Sequence, residues 1–146
     1  MRWLQYSQTA EWPPFPSVPV LITDLLGERG VGVQAKIDTG AFMTIVPYRV
    51  VEYLRADCTT KSIRCWGYDG HCSNLSGFLV NVYIDHPHWP SEAVRAFEGI
   101  DVLAVNVDGA ADTDAPTPAL EMLLGRDILA AWNLHLDGPK SRYSVT

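Results

Sequence analysis

The sequence holds only three cysteines, Cys58, Cys65 and Cys72, in 146 residues. An odd and sparse set of this kind excludes a disulfide-stapled scaffold, and the three are read as thiols. Long apolar runs are also missing. Stretches such as Phe78 to Ile84, with Asn81 inside it, fall far short of the roughly 20 residues a membrane helix needs, so no membrane partner is expected. Basic residues are few, eleven Lys and Arg against seventeen Asp and Glu, which gives a formal net charge of −6 and a pI near 5.0. That balance excludes a general electrostatic grip on nucleic acid or anionic lipid. Met1 to Trp12 contains no apolar block of signal-peptide length, so a cytoplasmic location is expected, and the acceptor-like Asn74-Leu75-Ser76 is read as accidental. No repeat of fixed period occurs.

The chain does have the material for one packed core, with 47% apolar residues and a mean hydropathy of +0.01. Trp12 to Pro19 carries four prolines that hold it extended, so residues 1–17 read as an N-terminal arm and 18–146 as a single domain. Val18, Val20 and Ile22 alternate. After a turn over Gly27 to Gly30, Val31, Val33, Ala35 and Ile37 alternate again, which predicts a hairpin with one buried face. Thr44-Ile45-Val46 ends at Pro47, and Tyr48 to Ala56 places Val50, Val51 and Leu54 on one side of a short helix. Ser62 to Leu75, with its Tyr68-Asp69-Gly70-His71 turn signal, precedes the alternating Phe78, Val80, Val82 and Ile84, predicting a second hairpin with a projecting tip. Ser91 is placed as the cap of a short helix carrying Val94 and Phe97 and stopping at Gly99, with a strand from Ile100 to Val107. Asp108 to Pro118 reads as a surface loop. The apolar block Leu120 to Leu136 and a strand at Arg142 to Val145 complete a mainly β chain with one or two short helices.

Two stretches carry chemistry. In Ile37-Asp38-Thr39-Gly40-Ala41 a lone carboxylate emerges from an apolar strand, which is costly unless its charge is fixed or shared. The plain alternative is a turn in which Asp38 bonds the backbone two residues on and Gly40 takes a positive φ. About 85 residues later, Leu123-Leu124-Gly125-Arg126-Asp127-Ile128-Leu129 runs from apolar residues through a glycine into a helix start. In this order, with a glycine-bearing hairpin between, the two stretches resemble the retropepsin-like aspartic proteases, the single-domain branch of that class.

The resemblance implies a closed, acid-protease-like β-barrel and an aspartic endopeptidase. One Asp-Thr-Gly supplies one carboxylate where the chemistry needs two, so a homodimer would bring a second Asp38 across the two-fold axis. Two carboxylates about 3 Å apart share one proton, and one then serves as base and the other as acid on a water. Neither cofactor nor metal is called for. By the same resemblance Thr39 would bond across the axis, Gly40 and Ala41 would lie against a bound peptide, and Leu123, Leu124 and Gly125 would buttress the loop from beneath. Arg126 would clamp carboxylates or carbonyls near the dimer contact, with Asp127 or a partner residue opposite it, the alternative being an exposed charge at a helix start. The Ser62–Leu75 hairpin would be a flap with Trp66, Tyr68 and Gly70 against substrate, unless Trp66 and Tyr68 merely pack on the sheet. Phe42 and Met43 stand where viral members carry two acids, and Thr44-Ile45-Val46-Pro47 is nearer the cellular and bacterial pattern.

Other groupings are weaker. Cys58, Cys65, His71 and Cys72 lack zinc-knuckle spacing, adjacent His71 and Cys72 point to opposite faces of a strand, and His86 and His88 sit among prolines. His135 reads as a core histidine. The rival to an enzyme is a catalytically inactive dimer of the same fold, holding a peptide as a binding or scaffold module. A chain that forms part of a larger protein is compatible with either.

Overall fold

The computed structural model describes residues 3–6, 15–66, 72–84, 95–105 and 122–146. The first hairpin forms as its alternation predicts. Strand β2 (Ser17–Thr23) pairs antiparallel with β3 (Gly30–Ile37), Val18 opposite Ala35 and Ile22 opposite Val31. Val18, Val20, Ile22, Ala35 and Ile37 face the core, and Pro19 and Leu21 face outward. Pro19 lies inside β2, at a point where the strand has only β3 beside it, so its missing N–H leaves no second ladder short of a donor. Between the strands, Asp24 takes the Arg29 N–H on its carboxylate at 2.7 Å, and Gly27 supplies the positive φ of +70° the turn needs. A short strand β1 (Leu4–Gln5) precedes them.

Strand β4 (Ile45–Pro47) leads into helix α1 (Tyr48–Leu54), which buries Val50, Val51 and Leu54 and ends where Arg55 turns left-handed at φ 50°. Two long strands follow as the second hairpin, β5 (Asp57–Trp66) and β6 (Cys72–Ile84), and then β7 (Arg95–Val105). Here the sequence reading needs correction. The helix expected to stop at Gly99 is, over its described part from Arg95, a strand paired with β6. Gly99, at φ +62°, serves a bulge rather than a helix end: residues 98 and 99 face the single Asn81, whose side-chain carbonyl accepts the Gly99 N–H at 2.9 Å. Asn81 is buried, and its amide nitrogen donates to Thr23 Oγ1 at 3.3 Å and to the Asp24 carbonyl at 3.1 Å.

Strand β8 (Met122–Leu124) lies parallel to β3 and antiparallel to β4, followed by helix α2 (Arg126–Leu129). Around the ring the order is β2, β3, β8, β4, β7, β6, and β2 bonds β6 to close it. A closed six-stranded barrel results, with β5 attached outside β6. Its filling includes Ile22, Val46, Val82, Ile84, Val102, Met122, Leu124 and Ile128, all fully buried.

The chain ends in β9 (Leu134–Asp137) and β10 (Arg142–Val145), which with β1 form a separate three-stranded sheet. Tyr143 ties that sheet to the barrel by donating its hydroxyl to the Ser17 carbonyl, and burial pushes the hydroxyl pKa up to about 12. His135 is a second correction. It is exposed on β9, beside Leu136 at 54% exposure, because this strand forms one edge of a sheet that lies outside the barrel. No helix among the described residues is long and apolar enough to cross a membrane.

Candidate active site

Where β3 runs out at Ile37, the chain turns sharply through Asp38, Thr39, Gly40 and Ala41. The Asp38 N–H donates to the Leu124 carbonyl at 3.1 Å, carrying the β3–β8 ladder one residue into the loop. Ala41 N–H closes the turn on the Asp38 carbonyl at 3.2 Å, and Gly40 N–H donates to Asp38 Oδ1 at 2.9 Å. The turn reading of this tripeptide holds for the Asp38–Gly40 bond, but Gly40 does not take the positive φ that reading expected. A Cβ on Gly40 would press on the same Oδ1 at 3.1 Å, so a larger residue there would push the Asp38 carboxylate aside by a few tenths of an ångström. Asp38 is half-buried, with Thr39 and Gly40 exposed on either side of the outward face. Among the described residues its carboxylate takes no bond other than that from Gly40.

Beneath the loop passes the Leu123–Asp127 stretch. Leu124 is fully buried, and Arg126 N–H donates to the Ala41 carbonyl at 2.9 Å. Gly125 fits under the backbone with no room to spare. An added Cβ would lie 2.7 Å from the Thr44 nitrogen and closer still to the Met43 carbonyl carbon, so no other residue type fits without moving main chain.

The hub of this packing is a residue whose role the sequence does not mark. Thr44 is fully buried, yet every polar atom it has is used. Its hydroxyl donates to Asp127 Oδ1 at 2.8 Å and accepts the Gly125 N–H at 3.2 Å. Its own N–H donates to Asp127 Oδ2 at 3.0 Å, and its carbonyl accepts from Leu103 N–H at 3.0 Å. A threonine opening an apolar Thr-Ile-Val-Pro run looks like a strand residue. The only available signal was a hydroxyl followed by an acid placed after Gly-Arg.

Asp127 thus supports the site through Thr44, and its Oδ1 also accepts the Ile128 N–H at 2.9 Å at the start of α2. Within one chain no ion pair joins it to Arg126. The Arg126 guanidinium is exposed and meets no described side chain; within one chain it is the backbone of Arg126 that holds the loop.

The six-stranded ring and the loop threaded from below by Leu123–Asp127 are the arrangement the two motifs imply. The fold is a mainly β, closed six-stranded barrel, as the resemblance implies. No protein-family model matches the chain, and no curated protein does. Among solved structures it is similar to the EIAV protease complexed with the inhibitor HBY-793, at 22% identity and a TM-score of 0.48, over 84% of this chain and 92% of that one. It is also similar to the retroviral protease-like domain of Ddi1 from Leishmania major, at 15% identity and a TM-score of 0.42, over 88% of this chain and 87% of the other.

In this chain the two residues after the loop differ in exposure: Phe42 is 46% exposed and Met43 half-buried. Met43 lines a hollow of about 320 Å³ with Lys61, Phe97, Ile100, Asp101, Asp127 and Ile128. A larger, shallow groove of about 820 Å³ runs along Pro19, Leu21, Gly32, Gln34 and Tyr83 and includes no residue of the Asp38 loop. Trp66 ends β5 opposite Cys72; Tyr68, Gly70 and His71 lie outside the described residues, as do His86 and His88. Cys58 and Cys72 are free and exposed. Among the described residues no three His, Cys, Asp or Glu side chains gather as a metal would require.

Proposed function

We propose that this chain is an aspartic endopeptidase that works as a homodimer, with one Asp38 from each copy on either side of the attacked water. The observation that carries the reading is the Asp38 carboxylate itself. It sits half-buried on a loop braced from beneath by two backbone bonds and closed by a third, its neighbours Thr39 and Gly40 exposed, with no acidic partner among the described residues. The braced loop holds one acid in place and leaves it without the second that such chemistry requires, and a two-fold axis beside Thr39 supplies that second acid from an identical loop.

In the pair, two carboxylates about 3 Å apart hold one proton between them. The charged member takes a proton from the water as its oxygen attacks the peptide carbonyl. The protonated member donates a hydrogen bond to that carbonyl oxygen, where negative charge develops. Collapse of the tetrahedral adduct expels the amine, which leaves with a proton from the pair. Gly40 and Ala41 offer main chain to an extended peptide, and the β5–β6 hairpin covers it and excludes water.

The test is cleavage of an unfolded polypeptide or peptide library at mildly acid pH, with and without a statine-type inhibitor. The wild type cleaves and the inhibitor stops it; Asp38→Asn abolishes cleavage and keeps the folded dimer. A folded Asp38→Asn variant that cuts as well as wild type would end the assignment, and a wild type that binds peptides without cutting them would establish the scaffold reading.

A further inference from the structure

The β5–β6 hairpin is not uniform along its length. At its base Cys58 faces Phe78, further out Ser62 faces Ser76, and so residues 59–61 bulge out opposite Gly77 alone. The β6–β7 ladder begins at Ser76, paired with Ala104. Beyond that point, among the described residues, β6 pairs with β5 alone, so 62–66 and 72–75 form a two-stranded ribbon. Such a ribbon has little stability of its own, and its direction is set where it leaves the sheet.

At that root the side chains form a bridge. Asp101 of β7 reaches across β6 over Gly77 and receives the Thr59 hydroxyl on both carboxylate oxygens, at 3.1 and 3.2 Å. Any Cβ on Gly77 would run into Thr59 Oγ1 and the Asp101 carboxylate, so the glycine is what lets the two meet. Thr59 Oγ1 also accepts the Lys61 N–H at 3.3 Å, closing the bulge on itself. The Lys61 ammonium stands 3.8 Å from Asp101 Oδ2 and 3.8 Å from Met43 Sδ, two residues beyond Ala41 in the Asp38 loop. One bridge therefore joins β7, the hairpin root and the candidate catalytic loop.

We propose that Asp101, through Thr59 and across Gly77, is a positioning residue that fixes the angle at which the β5–β6 ribbon stands over the Asp38 loop, a role that rests on the endopeptidase reading. The strength lies in the Thr59 bond, which is charge-assisted; the Lys61 pair is long and half-exposed and adds little. With the bridge cut, the barrel stays closed while the ribbon swings, and substrate is held less well.

The experiment pairs Thr59→Val, which removes the hydroxyl and keeps the shape, with Thr59→Ser, which keeps the hydroxyl, and adds Asp101→Ala. Hydrogen exchange is followed by mass spectrometry on the whole chain. Thr59→Val and Asp101→Ala raise exchange at 62–66 and 72–75 by about tenfold, the scale of one charge-assisted bond, while β2 and β3 stay within about twofold of wild type. Thr59→Ser tracks wild type. On a cleaved peptide, Thr59→Val lowers kcat/KM several-fold, mainly through KM. Valine and serine variants that exchange alike, or a rise spread evenly over the barrel, would overturn the proposal. The exchange measurement needs no substrate, so it decides the bridge even for a chain that cuts nothing.

Discussion

Thr44→Val replaces one hydroxyl with a methyl group of nearly the same size at the most enclosed point of the candidate site. Two bonds end. The 2.8 Å bond to Asp127 Oδ1 is charge-assisted, worth about 2 kcal/mol, reduced toward about 1 because Asp127 is an exposed residue. The Gly125 N–H loses its 3.2 Å acceptor inside the protein, where an unpaired donor costs about 1–3 kcal/mol. Together they come to about 3 kcal/mol. Thr44→Ser keeps both bonds and gives up one buried methyl, about 1 kcal/mol. For a chain of this size each kcal/mol moves the midpoint by roughly 2–4 °C, so valine lowers Tm by about 6–12 °C and serine by about 2–4 °C. Urea unfolding gives the same ordering as a fall in midpoint at constant slope. Since the residue locks the strand beneath the Asp38 loop, cleavage by the valine variant falls even well below its unfolding temperature. A valine variant as stable as wild type, or less damaging than serine, would refute the reasoning.

Gly125→Ala forces the Met43–Thr44 main chain to move and is expected to cost about 2–4 kcal/mol in urea unfolding, whereas Gly138→Ala, with open space around its Cβ position, costs under about 1 kcal/mol. Equal costs would mean the close approach is not what fixes Gly125. Tyr143 keeps its proton up to about 12 when folded and up to its ordinary 10 when unfolded. Its contribution is thus fully present below pH 10 and is lost as pH rises from 10 through 12, about 3 kcal/mol at roughly 1.4 kcal/mol per unit. The stability difference between wild type and Tyr143→Phe, followed from pH 9 to pH 12, should shift by that amount in favour of the phenylalanine; a flat difference would contradict it.

How far the sequence carried the structure depended on whether a residue acts through pattern or through contact. The Val18–Ile37 hairpin and the Val50, Val51, Leu54 face were legible because period alone sets them. The Asp38 loop and the Leu123–Asp127 stretch beneath it were legible as motifs, since a glycine pressed on main chain leaves a fixed mark. Gly99 misled because positive φ serves a helix end and a bulge alike, and only the pairing with Asn81 distinguishes them. Within one chain Arg126 holds the loop through its N–H, a contact that no residue type announces. Thr44, Asp101 and Gly77 escaped because their bonds span 83 residues for Thr44 and Asp127 and 42 for Thr59 and Asp101, beyond the reach of local spacing.

The central claim is that two copies share one catalytic pair, and subunit mixing tests it most directly. Wild type and Asp38→Asn are refolded together at fixed total concentration and varying ratio, and peptide cleavage is measured. A site built from both copies requires two intact carboxylates, so activity follows the square of the wild-type fraction and falls to one quarter at equal mixing. Activity that follows the wild-type fraction itself, one half at equal mixing, would place the whole site within a single chain and contradict the account.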